Sequence, residues 1–98
     1  MAYRTPEKQS MHDKKVKEIA DNYRVRAWTT KADLSGYEKP DNIHGHIPDV
    51  QAILSNQWEE IVEVETQDSI ETDKDQHEAF RRYANQRPYT EFKIIMAD

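Results

Sequence analysis

The stretch Ile61-Val62-Glu63-Val64-Glu65-Thr66 alternates apolar and acidic residues, and Pro48 to Leu54 lies just upstream across the short connection Ser55-Asn56-Gln57. Two runs of that kind at that distance predict a β-hairpin, with strands over Pro48–Leu54 and Glu60–Thr66. Side chains on a strand point alternately to its two faces, so Glu63 and Glu65 share a face with Ile61, and Val62 and Val64 take the other. Asp49, Gln51 and Ile53 share a face of the first strand. A hairpin centred on Asn56 sets Asp49 directly opposite Glu63. Carboxylates converging from neighbouring strands repel one another, and a bound hard cation relieves the repulsion. Oxygen donors of this kind suit Mg²⁺ or Mn²⁺. A hairpin with one wet face gives the same alternation. Ile53 and Ile61 on the acids' face, and Pro48 fixing the chain at its entry to the strand, favour a covered site.

Composition bounds what surrounds this hairpin. Leu, Ile, Val and Phe together make up under a fifth of the 98 residues, so residues 1–98 form one small domain with a modest core. A dimer, a metal or a ligand is expected to supply part of its stability. With no Cys, disulfides, thiol catalysis and thiolate zinc sites are excluded. The longest apolar run, Ile94-Ile95-Met96-Ala97, is too short to span a membrane. The polar start Met1-Ala2-Tyr3-Arg4 predicts no secretory leader, and the expected location is cytoplasmic. Net charge is −5 and unevenly spread: between residues 59 and 78 nine carboxylates face the single Lys74. Such a block is either a solvated acidic face or a group held by a cation or by basic neighbours.

The remaining elements follow from periodicity. Val16, Ile19, Ala20 and Tyr23 predict an amphipathic helix over residues 10–22, with Ser10 as its cap. Arg24-Val25-Arg26-Ala27-Trp28 predicts a strand with Val25 and Ala27 inward. Residues 29–46, punctuated by Gly36, Pro40 and Gly45, predict a loop, of a length that usually carries function. Thr72, with Asp75 three residues on, predicts the cap of a second helix running to Asn85, its buried stripe being Gln76, Ala79, Phe80 and Tyr83. Glu91 to Met96 predicts a last strand with Phe92, Ile94 and Met96 on one side. The expected fold class is α/β, a mixed four-stranded sheet flanked by helices in the order α-β-β-β-α-β, with a right-handed parallel crossover into the last strand.

Ile47-Pro48-Asp49-Val50, followed by Ile61-Val62-Glu63-Val64-Glu65-Thr66, resembles the PD-(D/E)XK nuclease superfamily, the restriction endonuclease-like fold that includes archaeal Holliday junction resolvases. The resemblance spans about residues 10–96 and rests on a short motif. It implies a restriction endonuclease-like core, a metal centre in which Asp49, Glu63 and the backbone carbonyl of Val64 are ligands, and Mg²⁺-dependent hydrolysis of DNA. Glu65 stands where the family usually has Lys, and some restriction endonucleases are similar in placing Glu there. Gln76-His77-Glu78-Ala79-Phe80 resembles the Gln-x-x-x-Tyr pattern of RecB-like nucleases, with Phe80 in place of Tyr, which implies that Gln76 orients a ligand or a phosphate. Glu18 stands where junction resolvases have a glutamate on the first helix.

Further candidates come from the residues themselves. His46, close to Asp49, suits a proton shuttle or phosphate contact. Arg24, Arg26 and Lys31, with Lys39, Arg81 and Arg82, are the groups available to grip a nucleic-acid backbone. His44-Gly45-His46 with Asp49 offers a second, zinc-type ligand set that lacks a matching further His or Cys. The expected function is a metal-dependent nuclease in which Asp49 and Glu63 hold one or two ions and Glu65 adds a ligand or positions water. A homodimer or a larger complex is expected to complete it, and loop 29–46 is the expected substrate or dimer contact. The alternatives are a nuclease-like module that binds without cleaving, and an acidic protein that mimics DNA toward a basic partner.

Overall fold

The computed structural model describes residues 5–55 and 57–98. The hairpin centre Asn56 and the start Met1-Ala2-Tyr3-Arg4 lie outside the described residues. The elements are α1 (Pro6–Val25), β1 (Thr29–Ala32), β2 (Val50–Leu54), β3 (Trp58–Glu65), α2 (Lys74–Asn85) and β4 (Thr90–Met96). They build a single mixed sheet in the order β1-β2-β3-β4, antiparallel up to β3 and parallel between β3 and β4. The α/β class and the order helix, three strands, helix, strand are as expected.

Helix α1 begins earlier than its apolar period does. The Thr5 hydroxyl accepts a hydrogen bond from Lys8 N at 3.2 Å, and Pro6 occupies the first turn, where its missing N–H is not needed. Its buried face is His12, Val16, Ala20 and Tyr23. The strand expected over Arg24–Trp28 does not form. Arg24 and Val25 finish α1, Val25 is 86% exposed rather than inward, and Ala27 turns the chain out of the helix at φ 66°. The helical period running through Tyr23 outweighs five residues of alternation. Pairing starts instead at Thr29, inside the expected loop, where β1 lies along β2 from Thr29↔Ile53 to Ala32↔Val50. Only Ala32 of this edge strand is fully buried, so the segment carries no alternation to read.

The hairpin register is the expected one. Val50 pairs with Val62 and Leu54 with Trp58, symmetric about position 56. The two faces of the sheet are covered by different helices. Val16, Ala20 and Tyr23 of α1 pack on Ala32, Val50, Ala52, Val62 and Val64. On the opposite face Phe80 of α2 meets Ile43 and Ile61, with Tyr83 and Phe92 beside them. That second core has a polar margin, in which the buried Gln51 donates to Glu59 Oε2 at 2.7 Å and to Asp41 Oδ2 at 3.1 Å. Tyr83 also donates to Glu59, at 2.9 Å. Every hydrogen-bonding atom of the Gln51 amide oxygen and nitrogen is thus engaged, which anchors the long β1–β2 connection.

The β3–α2 connection is a tight run of turns. Ser69 N and Ile70 N both bond to Thr66 O, and Asp73 N to Ser69 O. Thr72 does not cap the helix; its hydroxyl donates to Ser69 O at 3.0 Å, and Asp73 stands at the cap position. Among the described residues no helix is long and apolar enough to cross a membrane.

Candidate metal centre

Pro48 is fully buried and Asp49 directly precedes β2. The backbone of Asp49 is fixed by its carbonyl, which accepts Asp33 N at 2.9 Å, and its own N–H donates to Glu63 Oε1 at 2.8 Å. Its carboxylate is held by the next residue of β3 and by α1: Oδ2 accepts Val64 N at 2.8 Å, and His12 Nε2 lies 3.2 Å from the same oxygen. Asp49 and Glu63 are therefore laced together across the hairpin, in the pairing that symmetry about position 56 predicts. The Val64 side chain packs in the opposite, α1-side core.

Glu63 is 3% exposed. Burial, and then the charge of Asp49, push its carboxyl up to about 10. One of its oxygens takes the Asp49 N–H, and the other accepts no hydrogen bond among the described residues. Glu65 is 0% exposed and sits in a different environment. Ser69 donates to its Oε2, and His77 Nε2 lies 3.0 Å from its Oε1. Burial opposes its ionisation, yet hydrogen bonds with Ser69, Asp73 and His77, and the charge of His77, hold its carboxyl below the ordinary glutamate value. Glu63, Glu65, Asp73 and His77 each bring one ligand atom to within 4.8 Å of the others. Asp49 lies outside that group of four.

The other expected site residues are dispersed. Gln76 is half-buried on α2 and makes no side-chain hydrogen bond among the described residues; its neighbour His77 faces the carboxylates instead. The buried stripe of α2 is His77, Ala79 and Phe80, one residue out of phase with the expected stripe at its start. His46 packs its ring edge-on to Phe80 at 6.2 Å, after a turn closed by an Ile43–His46 bridge. His44, His46 and Asp49 do not assemble as a metal-binding group among the described residues.

Arg24 and Arg26 stand at the far end of the sheet. Arg24 covers the Tyr37 ring at 4.5 Å, and Arg26 covers Tyr23 at 4.9 Å. Tyr23 in turn donates to Glu60, five residues back along β3 from Glu65, a distance of roughly 17 Å on an extended strand. Lys31 is held by Asp41 at 3.3 Å and Glu38 at 3.4 Å. Glu18 is exposed on α1 and meets Lys15.

His12, Ser69, Asp73 and His77 are the site residues that sequence reasoning missed. His12 continues the apolar stripe of α1 one turn toward its start, and Asp73 and His77 are four residues apart and so share a helix face. Both signals are visible in the sequence. No family model, no curated protein and no solved structure matches the chain.

The donor set suits a divalent ion. The half-buried Asp49 tied to the buried Glu63, which has an unsatisfied oxygen, and a third carboxylate with an imidazole close behind, combine oxygen and nitrogen ligands of the kind Mg²⁺, Mn²⁺ or Zn²⁺ takes.

Proposed function

We propose that the chain is a metal-dependent phosphodiesterase acting on nucleic acid, DNA in the first instance, on a restriction endonuclease-like core. The observation that carries this reading is the double tie of Asp49 to β3, with Asp49 N–H on the Glu63 carboxyl and Val64 N–H on the Asp49 carboxylate, both at 2.8 Å. The Asp49 side chain is 15% exposed and Glu63 is buried behind it, so the pair offers a mouth through which a phosphate can approach. Mg²⁺ or Mn²⁺ bound there supplies an activated water and charge neutralisation at the phosphoryl oxygens. Val64 N–H and His12 orient the Asp49 carboxylate, and Glu63 holds the inner side. Glu65, fully buried and bonded to Ser69 and His77, supports the inner wall and has no exposed oxygen with which to serve as a general base. A second copy of the chain, or a larger complex, extends the small substrate-facing surface.

The same burial of Glu65 favours a second reading, a nuclease-fold module that binds nucleic acid without cutting it. The mimic reading is weakened by Glu59, Glu60, Glu63, Glu65 and Asp73, which are buried and leave only Asp68, Glu71, Asp75 and Glu78 of the acidic block outside.

Incubation with end-labelled single-stranded, duplex and branched DNA in Mg²⁺ or Mn²⁺, beside EDTA and Asp49→Asn controls, tests the proposal. Cleavage that disappears in both controls is expected. Intact DNA in every lane, with DNA binding retained, selects the non-cleaving module.

A further inference from the structure

We propose that Glu63, Glu65, Asp73 and His77 form a second, closed cation site behind the Asp49 mouth, one that takes a first-row transition-metal dication in preference to Mg²⁺ and ties α2 to β3. Three observations support it. The four ligand atoms already lie within 4.8 Å of one another. Bonds of about 2.1 Å put opposite ligands about 4.2 Å apart and adjacent ones about 3.0 Å apart, so small side-chain adjustments close the shell. His77 Nε2 and Glu65 Oε1 stand at 3.0 Å, the separation of adjacent ligands.

The second observation is the Glu63 carboxyl group, 3% exposed, with an oxygen that has no hydrogen-bond partner among the described residues. A buried oxygen left in that condition is costly, and a cation satisfies it. The third is the nitrogen donor. Mg²⁺ favours all-oxygen shells with several waters, whereas imidazole beside carboxylates suits Mn²⁺, Zn²⁺ and their neighbours. Exposures of 3% for Glu63, 0% for Glu65, 7% for Asp73 and 5% for His77 leave no room for substrate, the pattern of a structural centre rather than a catalytic one. The proposal shares Glu63 with the Asp49 pair and does not depend on phosphodiester chemistry.

The test is titration of the metal-free full chain with Mn²⁺, Zn²⁺ and Mg²⁺, each alone, by calorimetry and thermal melting, with electron spin-echo spectroscopy of the Mn²⁺ form. We expect Mn²⁺ or Zn²⁺ to bind more tightly than Mg²⁺ and raise the melting temperature, and Mn²⁺ to show coupling to a histidine nitrogen. His77→Gln should weaken Mn²⁺ binding at the inner site by about tenfold or more and remove that coupling, while Asp49→Asn leaves the inner ion and its nitrogen coupling in place. Mn²⁺ bound without nitrogen coupling in the wild-type chain, a reading that needs no variant to fold, overturns the proposal. So does binding that Asp49→Asn abolishes and His77→Gln does not. Either result leaves the Asp49–Glu63 centre standing as the only one, whereas absence of any metal binding removes both.

Discussion

His12 Nε2 lies 3.2 Å from Asp49 Oδ2, so a helix at one end of the sequence and a hairpin near its middle meet on a single carboxylate oxygen. The other nitrogen of the ring, Nδ1, is 3.0 Å from Asp13 Oδ1. With Val64 N–H on the same Asp49 oxygen, the carboxylate is clamped from two sides before any ligand arrives.

Asp49→Asn keeps an oxygen for Val64 N–H and His12 and removes a charge beside Glu63. The variant is expected to lose cleavage and to melt at or above the wild-type temperature in the absence of metal. Parallel activity assays and thermal melts check this, and a variant that fails to fold counts against the carboxylate pair as a metal site.

Stability of the metal-free chain should fall with rising pH. The Glu63 carboxyl is raised from 4.5 to about 10 in the native state, so between those values the folded chain keeps a proton that the unfolded chain has released. The native state binds more protons there, and its stability declines as pH rises. Glu65 is lowered, so its contribution is present above its ordinary value and is lost only in acid. Melting temperatures from about pH 6 to about pH 9 should slope downward, and Glu63→Gln should flatten the slope. A flat wild-type profile contradicts the burial argument.

Tyr23→Phe is a control at the other end of the sheet. The Tyr23 hydroxyl donates to Glu60, which also receives Trp58 Nε1 at 2.9 Å and Lys93 Nζ at 3.0 Å. Loss of one of three donors to a buried carboxylate should lower stability by about 1–2 kcal/mol in denaturant unfolding. Metal affinity should not change, because Glu63 and Glu65 of the carboxylate cluster lie at the opposite end of β3 from Glu60's contact with Tyr23.

Ala27→Gly should stabilise the fold. Ala27 holds φ at 66°, a left-handed conformation that burdens any residue with a Cβ. Glycine there is expected to add about 0.5–1 kcal/mol, read as a higher denaturant midpoint.

The hairpin and the Asp49–Glu63 pairing were legible because a two-residue period and a short connection leave one register that puts Val62 and Val64 on the covered face. β1 was not, since Thr29–Ala32 buries one side chain fully and shows no period. The Arg24–Trp28 segment misled because helix exit and strand alternation look alike over five residues. Asp73 and His77 were missed because Gln76 and His77 stand four and three residues before Phe80, so both lie on its side of the helix and periodicity alone does not choose between them. The contact of His77 with the buried Glu65, which Ser69 also meets, marks the residue that faces inward.

The burial of Glu59, Glu60, Glu63, Glu65 and Asp73 changes what a visiting molecule meets. Of the 19 carboxylate side chains these five face inward, leaving fourteen to set against thirteen Lys and Arg among the described residues. The outer surface is thus close to charge balance although the chain as a whole is acidic. A cation held by the inner cluster would cancel much of the remaining field, so an approaching polyanion would face far less repulsion than a net charge of −5 implies.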